Sequence, residues 1–456
     1  MERSEIVELR QFLRDELKQY NGKPIKFEDK IDKKLLEEII FNTNNDGSKS
    51  FGLDIETLSK IDLTNISFNY FKLYIENGNK SYDFSKLTGV KINPQFIFEK
   101  SMTNAVLNGV NFVGEFNEVN IKGANFEGSK GAIIDPQTII GKNMMKCRLS
   151  GVKFEGLFDG VNIIGANFKG SEGAKINPHT IYSKSLCECI LEDTFVETGT
   201  LGFFGINVCR TNFTNTVNKV KLNPQQVYMK SLWKTVLNGV EIAGPLDGVY
   251  VVETDFTNST GAVIHPTTVS NKSLSNTILS NTTIIGSFEG VNVTGTNFKE
   301  SVGAKIDPQC VENKSLHGTK LYDVEIIGSF IDVDLVCTDF TGSKGAVITP
   351  MLVKGQNFYK TNFCDAVLDG AFLTSCLDGA SFEGSTGARI YAGCFTKKGI
   401  SFANLKDATI LGSLDEIPLN NVSIDGTTII NMEKKELEGE DEVTIVKKII
   451  FAKIHK

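Results

Sequence analysis

Two cysteines one residue apart, Cys187 and Cys189, are the first residues whose type and spacing suggest chemistry. A Cys-x-Cys pair can hold a soft metal ion, provided other ligands stand nearby. The remaining cysteines, Cys147 among them, are irregularly spread, and the odd total of nine describes no disulfide framework. The histidines His179, His265, His317 and His455 are equally scattered. No Ser-His-Asp order, Cys-x-x-Cys pair or phosphate-cradling Gly-rich loop occurs. Two further candidates remain: a file of serines (Ser129, Ser171, Ser259, Ser301, Ser343 and Ser385) and the irregular stretch Glu197–Phe204.

What these residues can do depends on the elements that carry them. The clearest marker is Gly-Ala-x-Ile-x-Pro, whose prolines are Pro94, Pro136, Pro178, Pro224, Pro266, Pro308 and Pro350. Their spacings are 42, 42, 46, 42, 42 and 42, and Ala392 takes the next place at 42. Apolar columns keep the same clock: Phe84, Phe126, Phe168, Phe213, Phe256, Phe298, Phe340 and Phe382, with Ile424 next. Another runs Ile92, Ile134, Ile176, Leu222, Ile264, Ile306, Ile348 and Ile390. A period of this length signals a repeat architecture.

Within one unit the large apolar residues step by 5, 5, 4, 5, 5, 8, 5 and 5, as from Leu274 through Leu279, Ile284, Phe288, Val293, Phe298, Ile306 and Val311 to Leu316. Helices need steps of three and four, and strands need steps of two. A five-residue step fits a chain that turns a corner after each inward side chain, so 42 residues make two square coils. The residue two before each large one is small, as in Ala105, Cys147, Cys189, Thr277, Thr319 and Thr361 before the leucine column. The rest are turn formers.

This phase settles the first candidates. Cys189 points inward as a small core residue and Cys187 points out. Cys147 lies two coils below Cys189, about 10 Å away and beyond disulfide reach. His265 falls in the Asn/Asp turn position before proline. The serines sit in the eight-residue step, where turn hydrogen bonding accounts for them; the alternative is a protruding ridge in which Ser129, Ser171, Ser301 and Ser343 face a partner. An insertion that leaves a regular array is a contact candidate, here Phe203 and Phe204.

The chain resembles the pentapeptide-repeat family. The consensus Ala-Asp/Asn-Leu/Phe-x-x is matched by Ala124-Asn125-Phe126-Glu127-Gly128, Ala166-Asn167-Phe168-Lys169-Gly170, Thr296-Asn297-Phe298 and Ala403-Asn404-Leu405, over about residues 59–430. The regular four-residue and eight-residue steps depart from the consensus. The resemblance implies an all-β right-handed quadrilateral parallel β-helix, here of about 17–18 coils at two per 42-residue repeat. Phe126, Phe168, Phe256, Phe298, Phe340, Phe382, Ile134, Ile176, Ile264 and Ile306 are its expected core.

Residues 1–58 read as a small α-helical N-terminal cap, with an apolar face from Ile6 to Tyr20 and a second helix marked by Leu35, Leu36, Ile39, Ile40 and Phe41. Residues 431–456 read as a charged C-terminal tail or cap. Net charge is −7, of which −3 falls in residues 1–84 and 0 in 431–456, leaving −4 for the repeats (−7 + 3 = −4). Neither a basic nucleic-acid footprint nor a polyanion follows. No signal peptide or membrane-length apolar run is present. The expectation is a cytoplasmic bacterial protein without cofactor, metal, nucleic-acid or membrane partner. It is expected to be no enzyme, but a rigid scaffold or protein-binding surface. The family also suggests a DNA mimic acting on a type II topoisomerase, or an adaptor rod that recruits a partner through its ends.

Overall fold

A computed structural model describes residues 91–97, 100–373, 375–392, 400–412 and 421–430, together with Gln11, 41–43 and 49–51. It divides into two compact units: Met1–Val220 with Gln226–Met229, and Lys221–Gln225 with Lys230–Lys456. Both are parallel β-solenoids, and together they make about 14 turns. The 17–18 expected from the sequence were counted from residue 59, and residues 59–90 lie outside the described part.

The coil follows from the step pattern. In the second unit, Leu274, Leu279, Ile284 and Phe288 line the four sides of one turn, and Val293, Phe298, Ile306 and Val311 line the next, all buried. Parallel bridges join the two turns at Ser273 to Asn292, Ile278 to Asn297 and Thr283 to Val302. On the fourth side, Gly290 N–H donates to the Cys310 carbonyl at 2.7 Å and Glu312 N–H to Val291 at 3.0 Å. Strands are two or three residues long because the chain turns a corner before a longer ladder can form.

Asn and Asp at the place before the large residue close these corners. Asn125, Asn167, Asn297 and Asp339 accept, through Oδ1, the N–H two residues on, at 3.0–3.1 Å. This Asx turn supplies a partner that the short strand cannot.

The expected core is observed. Phe126 and Phe168 in the first unit, and Phe256, Phe298, Phe340 and Phe382 in the second, are fully enclosed, as are Ile134, Ile176, Ile264 and Ile306. Each contributes about 1.5–3 kcal/mol by burial. The four-residue step adds a second phenylalanine, so that in the first unit Phe154, Phe158 and Phe168 form a ring cluster with centroids 5.2–5.8 Å apart. Ile424, the expected next member of the phenylalanine column, is 41% exposed. It lies in the last described coil, with no described coil stacked upon it.

The Gly-Ala of the eight-residue step marks a close approach between coils. A Cβ on Gly131 would lie 2.5 Å from the Phe112 carbonyl oxygen, and one on Gly345 would lie 2.8 Å from that of Ile326. Both glycines have φ above +70°. The motif is therefore a backbone requirement.

Near the N-terminus, β1 (Phe41–Thr43) pairs antiparallel with β2 (Lys49–Phe51). Phe41 is thus in a strand and not the second helix expected there; Asn44-Asn45-Asp46-Gly47 between the strands is a turn sequence. The remainder of the proposed cap and the tail at 431–456 lie outside the described residues. No helix among the described residues is long and apolar enough to cross a membrane.

Candidate functional site

The small-residue column binds backbone. Cys147 Sγ donates to the Ile121 carbonyl at 2.9 Å and Cys189 Sγ to that of Ile163 at 3.0 Å. Thr277, Thr319 and Thr361 in the second unit donate to the equivalent carbonyls of Val251, Val293 and Leu335 at 2.7–2.9 Å. Burial pushes the Cys147 and Cys189 thiols up to about 12, against the opposing pull of backbone hydrogen bonds. These thiols are core donors, unfit as nucleophiles or metal ligands. Cys187 is half-buried, and burial followed by the Glu188 charge raises its thiol. Among the described residues no group of three or more His, Cys, Asp or Glu could hold a metal.

The histidines serve turns. His179 places Nε2 2.9 Å from the Gly202 carbonyl. This is the place that Gln occupies in other repeats: Gln137 Nε2 donates to both Leu157 and Asp159 carbonyls at 2.8 and 2.9 Å. Gln309 does the same to Ser329 and Ile331 at 3.0 and 2.6 Å. His265 stands 3.7 Å from Asp247, and His317 3.8 Å from Asp334. His455 lies outside the described residues.

The serine file does not form an exposed ridge. Ser129, Ser171, Ser301 and Ser343 are 4–8% exposed, Ser259 only 1%, and their hydroxyls have no hydrogen-bond partner. The eight-residue step folds inward at its glycine, which draws the preceding serine beneath the turn. A surface for partners must be sought elsewhere.

The insertion separates its two phenylalanines. Phe203 is fully buried, edge-on to Phe213 at 5.8 Å, in the column that holds Phe116 and Phe158. It is core, not partner surface. Three of the four extra residues precede it, since the step from Val196 to Phe203 is seven where Phe154 to Phe158 is four, and the fourth falls between Phe213 and Leu222. The longer step holds a 3-10 turn, Gly199–Leu201, followed by Gly202 at φ 59° and ψ −127°. Leu201 and Phe204 are left 61% and 64% exposed. On the adjoining coil Tyr228 and Met229 are 49% and 78% exposed. Gly205 N–H donates to the Gln226 carbonyl at 2.7 Å and Tyr228 N–H to that of Ile206 at 2.9 Å, which holds the two coils in register.

A charged file runs along the edge that ends the fourth side. In the first unit Lys100, Lys142 and Lys184 all take left-handed backbone with φ 45–46°. Lys100 Nζ meets Glu118 at 2.8 Å and holds that carboxyl below its ordinary range, first through the hydrogen bond and then through charge. Lys142 Nζ donates to Gln137 Oε1 at 2.5 Å and to the Asp159 carbonyl at 3.5 Å. Where the pattern continues after Lys184, Phe204 and Gly205 stand in place of the acidic pair member. In the second unit Lys230, Lys272 and Lys314 repeat the geometry at φ 44–48°. The 42-residue recurrence of lysine within each unit is visible in the sequence, where a charged turn residue has the composition of ordinary surface.

No family model matches this chain, and no curated protein matches it. Among solved structures, the chain is similar to three of QnrB1, a plasmid-mediated fluoroquinolone resistance protein. A trypsin-treated variant shares 15% identity over 52% of this chain and 89% of that one, with a TM-score of 0.15. A second trypsin-treated variant shares 12% over 54% and 90%, with a TM-score of 0.14. The full-length protein shares 15% over 52% and 91%, with a TM-score of 0.13. TM-scores this low carry no functional weight.

Proposed function

We propose that this pentapeptide-repeat β-helix is a non-catalytic scaffold that binds another protein through the surface around its one irregular coil. The carrying observation is the concentration of Leu201, Phe204, Tyr228 and Met229, between 49% and 78% exposed, on two registered coils. At the place of Phe204 the other repeats hold mostly charged or turn residues, such as Asp159 and Glu289. Large exposed side chains on a rigid backbone lose little conformational freedom on docking, and each adds about 1.5–3 kcal/mol when covered. A cytoplasmic setting fits a chain whose described cysteines are all free thiols.

The test compares full-length protein with a Leu201→Ser, Phe204→Ser variant and with Phe402→Ser, a control at another exposed phenylalanine (71%). Partners captured by the parent and the control but not by the double variant support the reading. An identical set from all three removes it. Two alternatives are separated in the same preparation. Mimicry of duplex DNA calls for an unbroken acidic stripe, whereas the edge described above carries Lys100, Lys142 and Lys184; inhibition of gyrase supercoiling would favour that reading instead. Recruitment through the ends would survive the double substitution and be lost on removing residues 1–58 or 431–456.

A further inference from the structure

Cys187 and Cys209 occupy equivalent places on successive coils of the first unit. A parallel bridge between Ser185 and Asn207 sets the register, and Glu188 N–H donates to the Cys209 carbonyl at 3.1 Å. Both side chains are half-buried, and the two thiols lie close enough to act on each other electrostatically. Neighbours in adjacent strands have backbones about 4.8 Å apart, inside the Cα separation of about 4.4–6.8 Å that a disulfide spans.

No other described cysteines share this relationship. Cys147 and Cys189 are two coils apart, with their thiols committed inward to the Ile121 and Ile163 carbonyls. Cys187 and Cys189 alternate between the outside and the core. Beside the pair, Arg210 Nη1 is ion-paired to Glu188 at 2.7 Å, which offsets part of the carboxylate's opposition to a thiolate there. The chain between the two cysteines is the coil that contains the insertion, with Leu201 and Phe204 on its outer face.

We propose that Cys187 and Cys209 form a dithiol site that low-molecular-weight disulfides of the glutathione class oxidise to an inter-coil disulfide, clamping the irregular coil. One thiolate attacks a sulfur of the oxidant, forming a mixed disulfide and releasing one small thiol. The second protein thiolate then attacks the protein-side sulfur of that mixed disulfide, closing the protein bond and releasing the second small thiol. The two cysteine protons end on the departing thiols, and the two electrons pass from the cysteines to the oxidant.

The full-length protein, incubated with oxidised glutathione, alkylated and digested without reductant, tests this. The expected product is a peptide cross-linked through Cys187 and Cys209, an intact mass lower by two hydrogen atoms, and recovery of the original mass with reductant. Cys187→Ser and Cys209→Ser each abolish the cross-link, and the surviving thiol carries one glutathione instead. Circular dichroism of both variants checks that the coil is retained. Three results overturn the proposal: glutathione adducts at both positions without a cross-link in the parent, a link between Cys187 and Cys189, or modification of exposed Cys310 alone.

Discussion

The thiol of Cys189 donates to the main-chain carbonyl of Ile163, in the preceding coil, at 3.0 Å. Thr319 makes the same bond to Val293 at 2.9 Å. Sulfur and hydroxyl are therefore interchangeable here, since both fit beneath a large residue and both donate. Cys189→Thr is expected to change stability by less than about 1.5 kcal/mol. Thr319→Val keeps the shape and removes the donor. The Val293 carbonyl retains the Thr296 N–H at 3.0 Å, so the loss should be about 1 kcal/mol. Urea midpoints of the two variants measure both effects.

The same burial has a pH signature. The protonated Cys147 and Cys189 thiols are favoured in the fold, raised by burial from 9.0 to about 12. Their contribution is whole below pH 9.0 and is lost as the pH rises toward 12, because only the unfolded chain then gains by releasing the protons. A Cys147→Thr, Cys189→Thr protein should lose stability less steeply than the parent between about pH 8 and 11. Equal slopes for parent and variant in chemical denaturation would contradict this.

Two neighbouring phenylalanines should respond oppositely. Phe203→Ala opens the core beside Phe213 and should cost about 3–5 kcal/mol. Phe204→Ala, on the solvent side of the same turn, should stay within about 0.5 kcal/mol of the parent. Thermal unfolding of the two single variants decides the matter.

Hydroxyl position separates two buried polar files. Ser259 is 1% exposed and its hydroxyl has no partner, so Ser259→Ala should leave stability unchanged or raise it, by up to about 1 kcal/mol. Gly345→Ala, nearby in the repeat pattern, places a methyl 2.8 Å from the Ile326 carbonyl at φ 76°. It should cost more than the roughly 1–2 kcal/mol of a left-handed backbone alone. A calorimetric comparison of the two reads both signs.

The core was legible because burial leaves a chemical mark at fixed phase: Phe298 and Ile306 could be placed inside by counting alone. The serines were misplaced because small polar residues mark both exposed turns and tightly folded ones; only the clash that a Cβ on Gly131 would make shows that this step folds inward. Phe203 and Phe204 could not be told apart because an insertion can be assigned to either side of the first large residue after it. Gln137 and Gln309 went unread since a polar side chain that caps carbonyls of the next coil has the composition of ordinary surface. Their place immediately after proline was the available signal.

The strict 42-residue register carries an evolutionary corollary. Within the second unit, Ile264 and Ile306 have the same ladder partners one repeat apart, Ile284 and Ile326. Recombination between such equivalent points would add or delete a whole module without leaving any main-chain amide in the wrong phase. Length in this architecture is therefore open to gradual adjustment, while the single out-of-phase coil is the landmark that duplication and loss would have to leave alone.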